Sequence, residues 1–132
     1  MLSICFPLLG RLCLAANILR GEIYLVDWNP ARGSEQAGQR PGLVIQNDIA
    51  NAVLRYPVTI VCAISSQLKG YPSMVRVSPS DDNGLTVISE VNSAQILTIQ
   101  KDRLSHRIGC LSVEDMKKVE EKLAYMLSLT SF

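Results

Sequence analysis

The segment Gly33–Pro41, with the sequence GSEQAGQRP, carries the residues best suited to chemistry on a phosphate. Two glycines let its backbone turn freely, and Arg40 stands directly before the proline that opens a predicted strand. A guanidinium is always charged, and its planar fork of donors fits two phosphate oxygens at once. The same pattern also fits an ordinary surface loop in which Arg40 pairs with Glu35. From the residues alone, a phosphate-binding site and a plain surface loop both stay open.

Metal chemistry finds little support in the sequence. The single histidine, His106, argues against a histidine-based metal cluster and against catalysis by paired histidines. The four cysteines form no CxxC pair, and their apolar contexts are typical of buried thiols in a reducing compartment. We therefore expect no metal and no cofactor. We place His106 in a turn at 105–107, as a surface residue that could in principle act as a base.

The charge balance limits how the chain could bind a polyanion. It has 13 Lys+Arg against 12 Asp+Glu, a formal net charge of +1. This excludes a protein that holds nucleic acid through bulk positive charge. A local site built from a few arginines remains possible.

The elements that must position these residues are short strands followed by one helix. Runs rich in β-branched and aromatic residues, bounded by Gly, Pro and Asn, predict strands at 20–28, 43–45, 58–64, 73–77, 85–91 and 95–100. Residues 31–40 lack apolar periodicity and are predicted as a loop. Tight turns without long intervening helices predict a mainly β fold, a small antiparallel barrel or strongly curved sheet.

The C-terminal part changes to a helical period. Ser112 is a good N-cap, and the two acidic residues that follow at 114 and 115 suit the positive end of the helix dipole. Apolar residues recur every three or four positions, at Val113, Met116, Val119, Leu123 and Leu127. We expect this apolar stripe to pack on the sheet. The charged residues between its members should face solvent.

The first 19 residues differ in composition from the rest. They hold 14 apolar residues and one charge, Arg11. Pro7 and Gly10 interrupt the run and no positive charge precedes it, so it fits neither a signal peptide nor a membrane-spanning helix well. We expect residues 1–19 to be a dispensable extension and residues 20–132 to form a single domain, with no membrane association.

Together these motifs resemble the MazF/PemK family of toxin endoribonucleases from toxin–antitoxin pairs. The similarity runs from Arg20 to about Leu129, and the run 33–41 is its most specific part. The matching pieces, in the order of the family, are RGEIYLVD at 20–27, GSEQAGQRP at 33–41, LVIQND at 43–48, AISSQ at 63–67, Gln95 with TI at 98–99, and KDRL at 101–104.

The resemblance implies an SH3-like barrel with a C-terminal helix, acting as a cytoplasmic homodimer. It also implies cleavage of single-stranded RNA, usually messenger RNA, at a short sequence and without a metal ion. A cognate antitoxin with an acidic, flexible tail is the implied protein partner.

The resemblance also assigns roles to individual residues. Arg40 would stabilise the charged transition state, and Ser65 stands where the family usually has a catalytic Thr. Glu35 is the nearest carboxylate, as a proton acceptor or as a residue that positions Arg40. Taken alone, Ser65 at a strand end also fits a simple turn hydroxyl. The RNA-binding residues that the matched motifs imply are Gly33, Ser34, Gln36, Gln67 and Gln95. Arg32, Lys69 and Arg76 join them because a nearly neutral chain must attract RNA through local cations near its predicted loops.

Three positions depart from the family pattern. Ala94 and Leu97 replace the acidic and basic residues that usually flank the late glutamine, and Asn92 with Ala94 replaces a catalytic Arg–Asp pair of one branch. An alternative is therefore a catalytically weakened module of the same fold that binds RNA or antitoxin. A third hypothesis, a relative that binds DNA gyrase, is disfavoured by the intact segment Gly33–Pro41.

Overall fold

The computed structural model describes residues 17–28 and 38–129, which form six strands and two helices. In chain order the elements are β1 (Glu22–Asp27), β2 (Gln39–Val44), α1 (Asp48–Ala52), β3 (Val58–Ser65), β4 (Met74–Val77), β5 (Ser89–Gln100), β6 (Leu104–Cys110) and α2 (Val113–Leu127). A 3₁₀ turn at Lys101–Arg103 joins β5 to β6. The predicted mainly β class with a C-terminal helix is confirmed.

The strands form one antiparallel sheet in the order β4-β5-β3-β2-β1-β6. The sheet is barrel-like, but in the described part of the chain no ladder closes it between β4 and β6. Instead, the loop between β4 and β5 approaches β6, because the Asp82 carbonyl accepts the Cys110 N–H at 2.8 Å. A Cβ on Gly84 would lie 2.0 Å from the Ile108 carbonyl oxygen, so this close approach requires glycine.

The apolar core lies on both faces of the sheet. On one face, α2 packs against β4 and β5 through Met116, Val119 and Leu123. The opposite face carries a smaller cluster built around Ile18, Tyr24, Val44 and Val61. The long strand β5 contributes to both sides, with Val91 in the first cluster and partly buried side chains against the second.

Helix α2 begins as its sequence predicts. The Ser112 hydroxyl oxygen accepts the Asp115 N–H at 3.0 Å, so the predicted N-cap is confirmed. Of the predicted apolar stripe, the three central residues are buried, whereas Val113 is 65% and Leu127 is 50% exposed. The stripe therefore packs on the sheet through its central residues, and its first and last residues face solvent.

Two strand predictions are wrong. Residues 89–91 of the run predicted at 85–91 and all of the run at 95–100 belong to one strand, β5, whereas residues 85–88 precede it. The strand continues through the polar stretch at 92–94, where its ladder with β3 shifts register. Strand β6 was not predicted, because its exposed residues at 105–107 break the apolar alternation of an edge strand. His106 therefore lies in β6, opposite Leu25, and not in a turn; its exposure on the surface is confirmed.

The two described cysteines differ in state. Cys62, in the central strand β3, is free and buried, and burial raises the pKa of its thiol from 9.0 to about 12. Cys110, at the end of edge strand β6, is disulfide-bonded, so the expectation of a buried thiol is wrong there. Cys110 is also buried, at 8% exposed, so an apolar context alone does not distinguish a free thiol from a disulfide.

Within residues 17–28 and 38–129, no helix combines the length and the apolar character needed to cross a membrane.

Candidate functional site

Arg40 is held at the start of β2 by contacts from β1. It lies opposite Val26 in the ladder, and its carbonyl accepts the indole N–H of Trp28 at 3.2 Å. The Trp28 backbone N–H donates to the Gly38 carbonyl at 3.0 Å, which closes the base of the loop between the strands. These bonds fix the backbone of Arg40, and the residue itself is exposed.

Five of the predicted site residues lie outside the described residues. They are Glu35, the candidate proton acceptor, and the RNA-binding candidates Arg32, Gly33, Ser34 and Gln36. Their roles stay predictions.

Ser65 ends β3, the neighbour of β2 in the sheet. It lies opposite Glu90 of β5, and its hydroxyl oxygen accepts the Gln67 N–H at 3.0 Å. That bond uses one lone pair of the oxygen and leaves the hydroxyl hydrogen available for another acceptor. Ser65 is thus both a turn hydroxyl and an oriented donor.

Arg40 and Ser65 line the same cavity, of about 340 Å³, here called the Arg40 cavity. Its walls come from five strands, β1, β2, β3, β5 and β6, from Ser66 after β3 and from the loop before β5. The other lining residues are Leu25, Pro41, Ile64, Ser66, Gly84, Leu85, Thr86, Val87, Ser89 and Ile108. A guanidinium and a hydroxyl facing one mostly apolar cavity can bind a phosphate group and stabilise charge that develops on its oxygens.

A second, smaller cavity of about 170 Å³ shares Ser65 with the first and is here called the Gln95 cavity. It brings together three of the predicted RNA-binding residues, Gln67, Lys69 and Gln95. The remaining lining residues are Ala63, Tyr71, Met74, Glu90 and Asn92. The two cavities adjoin at Ser65. Arg40 lies in the first, and the second holds Lys69 together with the side-chain amides of Gln67 and Gln95.

Sequence reasoning missed Glu90, which is 1% exposed in β5. Its carboxylate accepts the N–H groups of Lys69 at 2.8 Å and Gly70 at 3.1 Å, and Arg76 Nη2 donates to it at 3.0 Å. The Lys69 N–H bond chiefly lowers the pKa of Glu90 below its ordinary value, although burial acts in the opposite direction. The sequence did contain a sign of this role, because an acidic residue stands inside a predicted strand, between Ser89 and Val91.

The ion pair with Glu90 reduces the charge that Arg76 can offer to a ligand. The side chain is 57% exposed, but part of its charge is balanced by the buried carboxylate of Glu90. Arg76 does not line the Arg40 or the Gln95 cavity.

Two of the positions that depart from the family pattern, Leu97 and Asn92, have local explanations. Leu97 packs against the apolar cluster around Tyr24 and Val61, so a side chain suited to burial stands there. Asn92 lines the Gln95 cavity, and its side-chain oxygen accepts hydrogen bonds from the Ser73 hydroxyl and the Ala94 N–H. Neither residue is charged, so β5 supplies hydrogen bonds but no second catalytic cation here.

His106 lies closer to the Arg40 cavity than its position in the sequence indicated. Its partner in the ladder, Leu25, lines the Arg40 cavity, and paired residues in an antiparallel ladder share a face. The described part of the chain contains no group of three or more His, Cys, Asp or Glu residues arranged to hold a metal ion.

Comparisons with known proteins point to one family. The profile of PemK-like, MazF-like toxins of type II toxin–antitoxin systems matches residues 19–127. The chain is 41% identical over 117 residues to endoribonuclease EndoA of Bacillus subtilis (strain 168), covering 87% of this chain and 98% of the relative. It is 40% identical over 116 residues to endoribonuclease MazF9 of Mycobacterium tuberculosis, covering 85% of this chain and 98% of the relative.

A solved structure agrees with the fold. An endoribonuclease from a mycobacterial species, in complex with its cognate antitoxin, superimposes with a TM-score of 0.70 at 26% identity. The match covers 86% of this chain and 97% of that one.

Proposed function

Because this chain belongs to the PemK-like, MazF-like toxin family of type II toxin–antitoxin systems, we propose that it is an endoribonuclease that cleaves single-stranded RNA, chiefly messenger RNA, at a short sequence. The observation that carries the proposal is the pairing of Arg40 with Ser65 in one cavity. The adjoining Gln95 cavity offers polar side chains for bases next to the bond that is cut.

The reaction follows from which groups are present. The ribose 2′-OH attacks the adjacent phosphorus, forms a cyclic 2′,3′-phosphate and releases the next ribose as a 5′-OH. Arg40 stabilises the negative charge that develops on two phosphate oxygens, and loss of one such donor typically costs about 10²–10³-fold in rate. The Ser65 hydroxyl, oriented by the Gln67 N–H, donates to a phosphate oxygen.

The proton acceptor for the 2′-OH has two candidate assignments. Glu35 either accepts the proton itself or positions the guanidinium of Arg40. The variant Glu35→Gln separates them, because loss of a base removes the acidic limb of the pH–rate profile, whereas loss of a positioning contact lowers the rate at every pH.

Attraction of RNA is local in a chain with a net charge of +1. Arg32, Arg40 and Lys69 supply the charge, and Arg76 adds the part that Glu90 does not balance. A site with so few cations contacts only a few phosphates, and its affinity for RNA depends on the salt concentration.

The proposal extends to the partners. The protein acts in the cytoplasm as a homodimer, and a cognate antitoxin with an acidic, flexible tail competes with RNA for the cationic site. The solved relative in complex with its cognate antitoxin supports this pairing. We propose that neither a metal ion nor a cofactor takes part, since 2′-OH attack needs only charge stabilisation and proton transfer.

The test is incubation of the protein with a long single-stranded RNA in EDTA, alongside Arg40→Ala. We expect discrete cuts with 5′-OH ends by the wild type and loss of at least about a hundredfold in rate for the variant. Arg55→Ala is the matched control, because Arg55 is an exposed arginine that lines neither cavity. Intact RNA at high protein concentration, or equal cutting by Arg40→Ala, would overturn the proposal.

A second candidate function rests on β5. Asn92, Ala94 and Leu97 lack the charged groups of the family pattern given above, which favours a module of the same fold that binds RNA or antitoxin without cutting. Tight binding of RNA that stays intact in both the presence and the absence of EDTA would support this candidate over the enzyme.

A further inference from the structure

Glu90 is a buried carboxylate whose hydrogen bonds hold an exposed turn. The β3–β4 turn, residues 66–73, is largely exposed, with Tyr71 56% and Leu68 43% accessible. Within the described residues, Glu90 is the sole hydrogen-bond partner of the Lys69 and Gly70 N–H groups. Bonds from N–H donors to an ionised carboxylate are stronger than those to a neutral oxygen. The carboxylate therefore fixes the turn from below.

The β3–β4 turn in its fixed position forms one wall of the Gln95 cavity. Gln67, Lys69 and Tyr71 come from the turn, whereas Asn92 and Gln95 come from β5, the strand that carries Glu90. Displacement of the turn would therefore change the shape of the cavity without moving the opposite wall.

The lining of this cavity suits a nucleobase. Within the described residues, the side-chain amides of Gln67 and Gln95 have no hydrogen-bond partner, and each amide both donates and accepts. Tyr71 adds an aromatic wall, and unstacked RNA bases bind by stacking on such rings and by hydrogen bonds at their edges. At about 170 Å³ the cavity is smaller than the roughly 300–1,000 Å³ of sites for drug-sized ligands, which favours a single base.

We propose that Glu90 is a positioning residue that shapes a subsite for one unstacked RNA base, formed by Gln67, Tyr71 and Gln95, and thereby sets which base is accepted beside the scissile phosphate. This inference rests on RNA as the substrate under the proposed function. Ser65 connects the base to the chemistry, since it lines both the Gln95 cavity and the Arg40 cavity.

The variant Glu90→Gln tests the role of the carboxylate. Glutamine keeps the size of the side chain but lacks the charge, and its NH₂ group cannot accept from Gly70 N–H or Arg76. We expect the preference for one base at the position next to the cut, measured as a ratio of kcat/KM between matched RNAs, to fall by about tenfold. Glu120→Gln is the matched control, because its carboxylate pairs with Arg20 away from both cavities.

Gly70→Ala provides a second variant that leaves Glu90 intact. Gly70 has φ +66°, and a Cβ there meets no atom within 4 Å, so alanine strains the turn without a clash. We expect the same loss of base preference in this variant. Should Glu90→Gln fail to give a cooperative thermal transition, Gly70→Ala decides the question.

Binding measurements keep this inference separate from the proposed cleavage. Oligonucleotides with a 2′-deoxy ribose at the scissile position cannot react through a 2′-OH, so their affinities report base selection alone. If the wild type binds them with a base preference that both variants lose, the subsite stands even when no RNA is cut. A preference that is unchanged in the folded variants, or the absence of any base preference in wild-type binding, would overturn the inference.

Discussion

Arg40 and Ser65 reach one cavity from neighbouring strands, but only one of them carries a charge. The sequence was sufficient to single out both, because Arg40 stands in a specific motif and Ser65 stands where the resembled family usually has a catalytic Thr. It was not sufficient for Glu90, since the partners of that carboxylate lie 14 to 21 residues away along the chain. These contacts of a buried carboxylate form only once the turn has folded back over β5.

The Ser65 hydroxyl should act mainly on the chemical step. We expect Ser65→Ala to lower kcat by about ten- to a hundredfold with little change in KM, because a hydrogen bond to the charged transition state is lost. Ser65→Thr keeps the hydroxyl and should stay within a few-fold of the wild type. Steady-state kinetics on a short RNA measures both, and equal kcat for Ser65→Ala and the wild type would rule out the assigned role.

Glu90 should make stability depend on acid pH. Because its pKa is lowered in the folded protein, its contribution to stability is present above the ordinary value of 4.5 and is lost as the pH falls through the folded pKa. We expect the wild type to melt at a higher temperature than Glu90→Gln above pH 5, and the difference to shrink toward pH 3. Thermal unfolding across this range checks the effect; a difference that grows in acid would contradict it.

Among the elements, the sequence pattern predicted those with a clear apolar face or a continuous apolar run. It missed those that have neither. Helix α2 was predicted from Ser112 and its apolar stripe, and the central strand β3 from its continuous apolar run. The polar residues at 92–94 were taken as a break, although β5 continues through them, with Asn92 paired to β4 and the ladder to β3 resuming at Ile96. Pairing between distant strands, which local composition does not encode, decided both β5 and β6.

A central residue and the last residue of the α2 stripe should contribute unequally to stability. Leu123 is 8% exposed against the core, whereas Leu127 is 50% exposed at the helix end. We expect Leu123→Ala to lower the free energy of unfolding by about 2–4 kcal/mol and Leu127→Ala by less than about 1 kcal/mol. Urea unfolding of both variants measures the difference, and comparable losses would show that the helix packs along its full length.

For the whole molecule, the nearly neutral composition excluded RNA binding through bulk positive charge, and the fold shows where local cations lie. A net charge of +1 requires that RNA be attracted by a few local cations, and the structure places Arg40 and Lys69 on the walls of two adjoining cavities. The part of the site contributed by residues 32–36 stays a prediction from the sequence, because it lies outside the described residues.

The salt dependence of RNA binding should report this small footprint. For single strands the slope of log K against log salt concentration is about −0.7 for each phosphate neutralised, so we expect a value between about −1.5 and −3. Arg40→Ala should reduce its magnitude by about 0.7. Titration of an uncleavable oligonucleotide at several salt concentrations gives the slope, and a value near zero would contradict a phosphate-binding site.

The extent of the functional domain is best tested at the boundary of the N-terminal extension. We propose that a chain starting at Asn17 keeps its activity. A chain starting at Arg20 lacks Ile18, which is buried against the Tyr24 cluster, and Leu19, whose N–H donates to Glu22 at 2.9 Å. We expect the shorter chain to melt at a lower temperature. Loss of cleavage by the longer chain would show that the extension is needed.

The central claim is that this chain cuts RNA through the 2′-OH of the scissile nucleotide, with Arg40 stabilising the transition state. The most direct measurement compares a short cleavable RNA with the same strand carrying a single 2′-deoxy ribose at the cut, in EDTA. We expect cutting of the first to give a cyclic phosphate and a 5′-OH, no cutting of the second, and loss of at least about a hundredfold in rate for Arg40→Ala. Cleavage of the deoxy-substituted strand at the same bond, or full activity of Arg40→Ala, would contradict the account.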